Sequence, residues 1–332
     1  MPLGMDIAFH GDPARLPRVA REIEERGSVA GLFVAEAQHD PFVSLALAAI
    51  STERIQIGTS IALAFARSPM DMAYSAYDVQ RLSRGRLVLG IGSQIKPHIT
   101  RRYDMPWSRP TDRMSEYMAA LRAIWHTWQT GEKLDFRGEF YSHTLMPPLF
   151  NPGPVDGGPP DIWLAGVGPR MVALAGAEAD GFLCHPLLSR SYLENELRPA
   201  LAKNRSGESR PLTVCAMSMV ATARTEEELT DAIAATKRQI GFYASTPAYK
   251  PVLDHHGWGA LHEEAHAFTL RGRWDELPDL VDDEVLHTLA VVGELDRVGA
   301  ALRERFEGLA DRVMLSMAYD GDDTLALDVT SA

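Results

Sequence analysis

The sequence predicts a single α/β domain folded as a TIM-type (β/α)8 barrel, and three observations predict it. Apolar, strand-like segments alternate with helix-like ones along the whole chain, in about eight βα units, the pattern of a parallel sheet covered by helices. The length of 332 residues suits one such barrel with insertions. No linker, low-complexity tract or repeat beyond the βα unit divides the chain, so residues 1–332 are read as one domain.

The units follow in order. MDIAF (5–9) is short, apolar and strand-like; DPARLPRVAREIEERG (12–27) is a helix, with Asp12 to cap it, Pro13 in its first turn and Gly27 to end it. GLFVA (31–35) is the second strand and PFVSLALAAIS (41–51) a mostly buried helix. RIQIGTSIALAF (54–65) is the third strand, and SPMDMAYSAYDVQRLSRG (68–85) the third helix, with Pro69 near its start and Gly85 at its end. RLVLGIG (86–92) is the fourth strand. In RMSEYMAALRAIWHTW (113–128), Met114, Tyr117, Met118, Leu121, Ile124, Trp125 and Trp128 share one helical face. Insertions are expected over about 94–112 and 131–160, the latter with a small hairpin around Glu139-Phe140-Tyr141 and the irregular loop NPGPVDGGPP (151–160). DIWLAG (161–166), DGFLCH (180–185) and LTVCAMSMVA (212–221) are the next strands, separated by helices over PRMVALAGAE and around 189–204. TEEELTDAIAATKRQIGFY (225–243) opens with a capping box, Thr225 with Glu228. Residues 244–287 form a third, partly helical insertion, and the helix DRVGAALRERF (296–306) and the strand DRVMLSMA (311–318) complete the pattern. The long excursions thus follow strands four and seven.

Bulk properties narrow the function classes. With 45% apolar and 23% charged residues a large core can be buried. A formal charge of −12 disfavours nucleic acid or an anionic membrane as partner, since both need a basic footprint. No apolar run approaches the roughly 18 residues of a membrane span, and MPLGMDIAFHGD lacks the basic and apolar regions of a signal peptide. Cys184 and Cys215 form neither a disulfide framework nor a metal pair. The expectation is a reduced, cytoplasmic protein acting on a small molecule.

GRLVLGIGSQIKPH (85–98) raises the functional question. As a dinucleotide fingerprint it fails: the third glycine position is Ile95, and no helix starts directly after it. As a barrel strand end it works, because the active sites of such barrels sit there and glycine lets backbone approach a ligand; the alternative is that Gly90 and Gly92 only make room for packing. The loop that follows holds Lys96, Arg101, Arg102, Arg109 and Arg113 against Asp104 and Asp112. That suits a phosphate or carboxylate ligand, or a solvated loop laced with salt bridges.

Together FVAEAQHDPF, IGTSIALAFARSPMDMA, GRLVLGIGSQIKPHI, RMSEYMAALRAIW, IWLAGVGPRMVALAGAEADGFLCHP and VVGELDRVGAALRERF resemble the bacterial luciferase-like superfamily, most closely its branch dependent on the deazaflavin F420. The resemblance implies a TIM barrel binding F420 or FMN at its C-terminal mouth, a hydride transfer between the deazaflavin C5 and a small organic substrate, and, as the alternative, an FMN-dependent monooxygenase using reduced FMN and O2. It also implies a homodimer. By the same resemblance Glu36, His39 and Asp40 are the catalytic candidates at the end of strand two. His39 or Glu36 would handle a proton, although a loop histidine bonded to a backbone carbonyl is the other reading of His39. Ser60–Ile61 matches a non-prolyl cis peptide behind the ring, Thr59 its edge, and Ser93 and Gln94 further ring-edge positions. Gly166-Val167-Gly168-Pro169-Arg170 matches the phosphate loop, where amides at a helix N-terminus and Arg170 would hold the anion. Lys96 and the basic loop would receive the acidic tail of F420, and His185 borders the same region. Cys184 beside it is read as a packed apolar residue. One departure stands out: a glutamate acid found in the sugar-phosphate dehydrogenases of this branch is Ile95 here, which argues against that activity.

A second motif competes. His262-Glu263-Glu264-Ala265-His266 spells H-E-x-x-H, with Glu284 downstream. Two histidines at i and i+4 can share zinc, with the first glutamate as base of a hydrolase; the alternative, an acidic exposed helix, is preferred because short motifs match by chance. Trp107, Tyr141, Trp258 and Phe268 are candidates for an apolar pocket or for packing.

Overall fold

The computed structural model describes residues 3–203, 205, 207, 210–319 and 323–331. Eight parallel strands pair in chain order and close: β1 (Gly4–Phe9), β2 (Gly31–Val34), β3 (Gln56–Thr59), β4 (Leu87–Gly92), β5 (Asp161–Ala165), β6 (Gly181–Leu183), β7 (Thr213–Ala221) and β8 (Arg312–Met317), which returns to β1. Ile7 lies beside Leu32 and Leu315, and Leu32 beside Ile57. β7 is long enough to take three partners. Cys215–Val220 pair with β8, while Thr213–Cys215 pair with β6 and Met219–Ala221 with an unanticipated short strand, Ala290–Val292.

Local chemistry sets the element ends. Asp12 caps a 3-10 turn, Pro13–Arg15, that leads into the helix Leu16–Arg26, and Gly27 ends it at φ 68°, a conformation glycine adopts without steric cost. Thr225 and Glu228 form the expected capping box of the helix Glu226–Ala244. The third strand is interrupted: Gln56–Thr59 and Ala62–Leu63 flank a cis peptide at Ser60–Ile61. The excursion after β4 carries the helix Pro110–Thr130 and a small hairpin, Phe136–Arg137 with Ser142–His143, turning over 138–141. Among the described residues no helix is long and apolar enough to cross a membrane.

Side chains alternate along each strand, so every second residue points into the barrel. The inward residues Phe33, Val88, Trp163, Leu183, Cys215 and Met314 form a buried cluster of their own. At the N-terminal end of the strands this interior is plugged. Fully buried Asp6 is paired with Arg312, whose Nε donates to Oδ2 at 2.7 Å. The guanidinium lies over the rings of Phe33 and Trp163, 5.7 and 5.5 Å from their centroids. A Cβ at Gly58 or Gly181 would stand 2.5 Å from those same rings, so glycine makes their space. Toward the C-terminal end the inward residues shrink: Asp6 gives way to Ala8, Val88 to Gly90 and Gly92, Trp163 to Ala165, and Arg312 and Met314 to Ser316. The barrel is filled at its foot and hollow at its mouth.

Candidate active site

That hollow is a cavity of about 1320 Å³ at the C-terminal ends of the strands. Ala8 of β1 and His10 just beyond it, Ser60 and Ile61 after β3, Gly92 to Ile95 from the end of β4, Ala165 to Arg170 from the end of β5 and Leu183 to His185 from the end of β6 all line it. Its outer wall comes from the helix Glu226–Ala244 and the insertion beyond it, through Gln239, Phe242, Tyr243, Tyr249 and Trp274.

The residues after β3 and β4 are held from behind. Ser60 N donates to the Val34 carbonyl at 2.9 Å and Glu36 N to the Ile61 carbonyl at 3.1 Å, pinning the cis peptide to β2. A Cβ at Gly90 would overlap the Thr59 carbonyl oxygen, and one at Gly92 the Ile61 side chain. Both glycines therefore seat the interrupted third strand against β4, and Gly92 also lines the cavity. Gln94 sits at φ 57°, a left-handed conformation costly for a non-glycine residue, and its Oε1 accepts from Ile95 N at 3.0 Å. Ser93 donates to the Gln94 carbonyl at 3.1 Å.

After β5, Gly166 packs against Met171, where a Cβ would stand 2.6 Å from that side chain, whereas nothing stands within 4 Å of a Cβ at Gly168. Gly168 is the N-cap of the helix Pro169–Glu178, and no side chain caps that helix. Pro169 has no N–H, and Met171 N and Val172 N bond the Gly168 carbonyl at 3.0 and 3.1 Å, so in the first turn the Arg170 amide is the donor left at the positive end of the helix dipole, beside open cavity space. Arg170 lines the same space and is tied to Asp112 at 3.0 Å.

His185 is a neutral donor. Its Nδ1 accepts from Leu187 N at 3.1 Å, which leaves the proton on Nε2, and burial pushes its pKa down to about 3. Its ring stacks on Tyr249 at 4.0 Å and meets Tyr243 edge-on at 4.6 Å. Burial pushes the neighbouring Cys184 thiol up to about 12, so it stays protonated, in keeping with a packed residue. His10, exposed at the mouth, carries the other imidazole of the cavity, and desolvation by the groups around it holds it below its usual range.

Several sequence-predicted residues lie elsewhere. Glu36, His39 and Asp40 are outside the cavity lining. The Glu36 carboxylate accepts from Leu63 N at 2.8 Å and from Arg67 at 2.7 and 3.1 Å. Asp40 caps the helix Pro41–Ser51 through Phe42 N at 2.8 Å and Val43 N at 3.2 Å, and His39 is exposed on the loop between them. Thr59 is fully buried, and its hydroxyl is committed to the Gly90 carbonyl at 2.6 Å rather than to a ligand edge. Lys96 is exposed and also outside the lining. Of the basic loop, Arg113 is buried against Tyr141 and Phe65 and Arg109 pairs with Glu139, so packing and ion pairing absorb part of its charge. Trp107 packs on Phe65, Tyr141 on Tyr117, Trp258 on His256 and Phe268 under Arg273; none lines the cavity. His10, Gln239, Tyr243, Tyr249 and Trp274, which do line it, were not anticipated. The strand-end rule applied to β1 points to His10; the others sit in a segment that reads only as helix and insertion.

The H-E-x-x-H motif has a different use. His262 Nδ1 bonds the carbonyl of Ala244 at 2.7 Å, and His266 Nδ1 that of Ser245 at 3.0 Å. These carbonyls end the helix Glu226–Ala244, where the last turn has no intrahelical partners, so the two imidazoles close one helix with another. Among the described residues no group of three or more His, Cys, Asp or Glu side chains could hold a metal ion.

Comparison with known proteins places this geometry. Residues 3–312 match the model of the luciferase-like monooxygenase family. An uncharacterised Mycobacterium tuberculosis protein is 47% identical over 315 residues, covering 94% of this chain and 92% of its own. A second Mycobacterium tuberculosis protein, provisionally named a coenzyme F420-dependent oxidoreductase, is 26% identical over 90% of each chain. The solved structure of the coenzyme F420-dependent tetrahydromethanopterin reductase of Methanopyrus kandleri superposes with a TM-score of 0.80 at 17% identity, over 99% of this chain and 98% of that one. The chain belongs to the luciferase-like monooxygenase family.

Proposed function

We propose that this chain is an F420-dependent oxidoreductase that exchanges hydride with an organic substrate inside the barrel mouth. The observation that carries the reading is the helix N-terminus at Gly168, without a side-chain cap, opening onto a cavity that Arg170, Ser60, Ser93 and Gln94 also line. The donor set fits a phosphate-bearing deazaflavin: the Arg170 amide and guanidinium beside Gly168 for the phosphate, and the Ser60–Ile61 segment and Gln94 for the ring. F420, when bound, supplies a carbon that accepts or releases hydride and reacts poorly with oxygen. The chain supplies the rest. The wall from the insertion lines the mouth with aromatic rings, and neutral His185 donates a hydrogen bond through Nε2 without changing charge near neutral pH. In this reading the proton-handling role goes to His10, which lines the cavity, rather than to Glu36, His39 or Asp40, which lie outside its lining. The lowered pKa of His10 keeps it neutral, and able to accept a proton, at pH 7. The relative named for F420 supports this cofactor, while the family's description supports the monooxygenase alternative.

Titrating the purified protein with F420 and separately with FMN, followed by fluorescence quenching, tests the reading. Tight F420 binding with weak FMN binding is expected. The reverse overturns it in favour of oxygen chemistry on reduced FMN, and binding of neither overturns the cofactor assignment altogether.

A further inference from the structure

The cavity is larger than one ligand needs: about 1320 Å³, against the roughly 300–1000 Å³ of a small-molecule pocket. The part walled by the segment after β7 is of one kind. From His185 outward, aromatic rings succeed one another: Tyr249 stacked at 4.0 Å, Tyr243 at 5.6 Å from Tyr249, Phe242 at 5.7 Å from Tyr243, and Trp274 at 6.3 Å from Phe242. Phe242 and Trp274 are each 48% exposed and both line the cavity, so large apolar faces stand open at its mouth. Along this wall one polar atom lacks a partner. Gln239 Oε1 is buried without a hydrogen bond, while its Nε2 lies 2.7 Å from Tyr243 Oη. Turning the amide over exchanges the roles but not the result. In either orientation the Gln239–Tyr243 pair keeps at least one donor and one acceptor uncommitted to each other, which a hydroxyl group, donor and acceptor at once, can meet.

We infer that this half of the cavity selects an elongated apolar alcohol, long-chained or fused-ring, with Gln239 and Tyr243 reading the hydroxyl and Phe242, Tyr249 and Trp274 covering the hydrocarbon. The inference rests on the cavity being the substrate site of the proposed oxidoreductase, but the binding it describes needs no cofactor. Arg238 and Asp275 also line the wall, so a carboxylate is the competing ligand class.

Calorimetric titration of the full chain, without cofactor, with decan-2-ol, its methyl ether and decanoic acid tests it. The alcohol is expected to bind roughly five- to tenfold tighter than the ether, the yield of about one buried hydrogen bond. Gln239→Leu should bring the two within a factor of about two. Trp274→Ala, at a half-exposed position, should weaken both about equally and keep their ratio. Equal affinity of alcohol and ether for the unaltered chain overturns the inference, a readout that needs no variant. So does tighter binding of the acid that Arg238→Gln removes and Gln239→Leu does not. An F420 titration on the same preparation separates the two readings. Alcohol selectivity without F420 affinity keeps this inference and drops the cofactor; F420 affinity without alcohol selectivity does the opposite.

Discussion

Glu36→Gln distinguishes a carboxylate that holds the barrel mouth together from one that transfers protons. The Glu36 side chain is 6% exposed, and it faces Arg67, itself 16% exposed, at 2.7 Å. Glutamine keeps a carbonyl oxygen for Leu63 N but removes the charge and one arm of the two-pronged contact with the guanidinium. Arg67 is not left alone, since Asp40 at 3.2 Å and Asp71 at 3.7 Å remain beside it. The loss therefore falls below the roughly 3–5 kcal/mol of an isolated buried pair that is broken. It lies nearer the roughly 1.5–3 kcal/mol of hydrogen bonds to a charged group. At about 2 °C per kcal/mol for a domain of this size the melting temperature should drop by about 3–6 °C. Scanning fluorimetry measures that drop. Because Glu36 lies outside the cavity lining, cofactor affinity and turnover at 25 °C should change by less than about threefold, an effect under roughly 0.7 kcal/mol. A variant that melts like the parent yet loses turnover about a hundredfold would refute this reasoning and return Glu36 to a catalytic role.

Three further outcomes follow. Gly90→Ala places a methyl group on the Thr59 carbonyl and against Leu183, and should cost about 3 kcal/mol in urea unfolding; a cost near zero would mean that the two strands separate freely there. His262→Ala removes a buried ring and its bond to the Ala244 carbonyl, and should lower the melting temperature of the protein equally with and without EDTA; a loss seen only without EDTA would restore the zinc reading. Asp6, pushed up to about 6 by burial from an ordinary 3.8, binds its proton more readily folded than unfolded, so the stability tied to it is fully present below about pH 4 and lost as pH rises through 6. Asp6→Asn should flatten urea-melt stability across that window, and an unchanged slope would assign the pH dependence to other groups.

The strands, the long excursions and the strand-end location of the site were legible because apolar period and punctuation by Gly and Pro are local signals. The cis peptide and the Gly166–Arg170 loop were legible only through family resemblance. What escaped the sequence were side-chain directions. Thr59, Asp40 and Glu36 occupy strand-end positions, yet each is turned to a backbone or ion-pair partner thirty or so residues away or at a helix start, and no local pattern encodes that choice. The H-E-x-x-H helix misled for the same reason: its spacing places two histidines on one face but does not say whether that face meets a metal or a neighbour's carbonyls. His10 was overlooked although it follows β1 directly, and Gln239 to Tyr249 because a wall built by an insertion carries no barrel periodicity.

That wall lies outside the hydrogen-bonded ring of strands. Phe242, Tyr249 and Trp274 hang on helices joined to the barrel through β7 and the short strand Ala290–Val292, while the opposite wall is made of strand ends whose register is shared with both neighbours. Exchanging a strand-end residue disturbs the closure of the whole cylinder; exchanging one on the outer wall alters a surface that no strand pairing depends on. The two sides of the cavity are thus free to diverge at different rates, and a lineage can retailor what fits beneath the helices while the cylinder underneath stays the same.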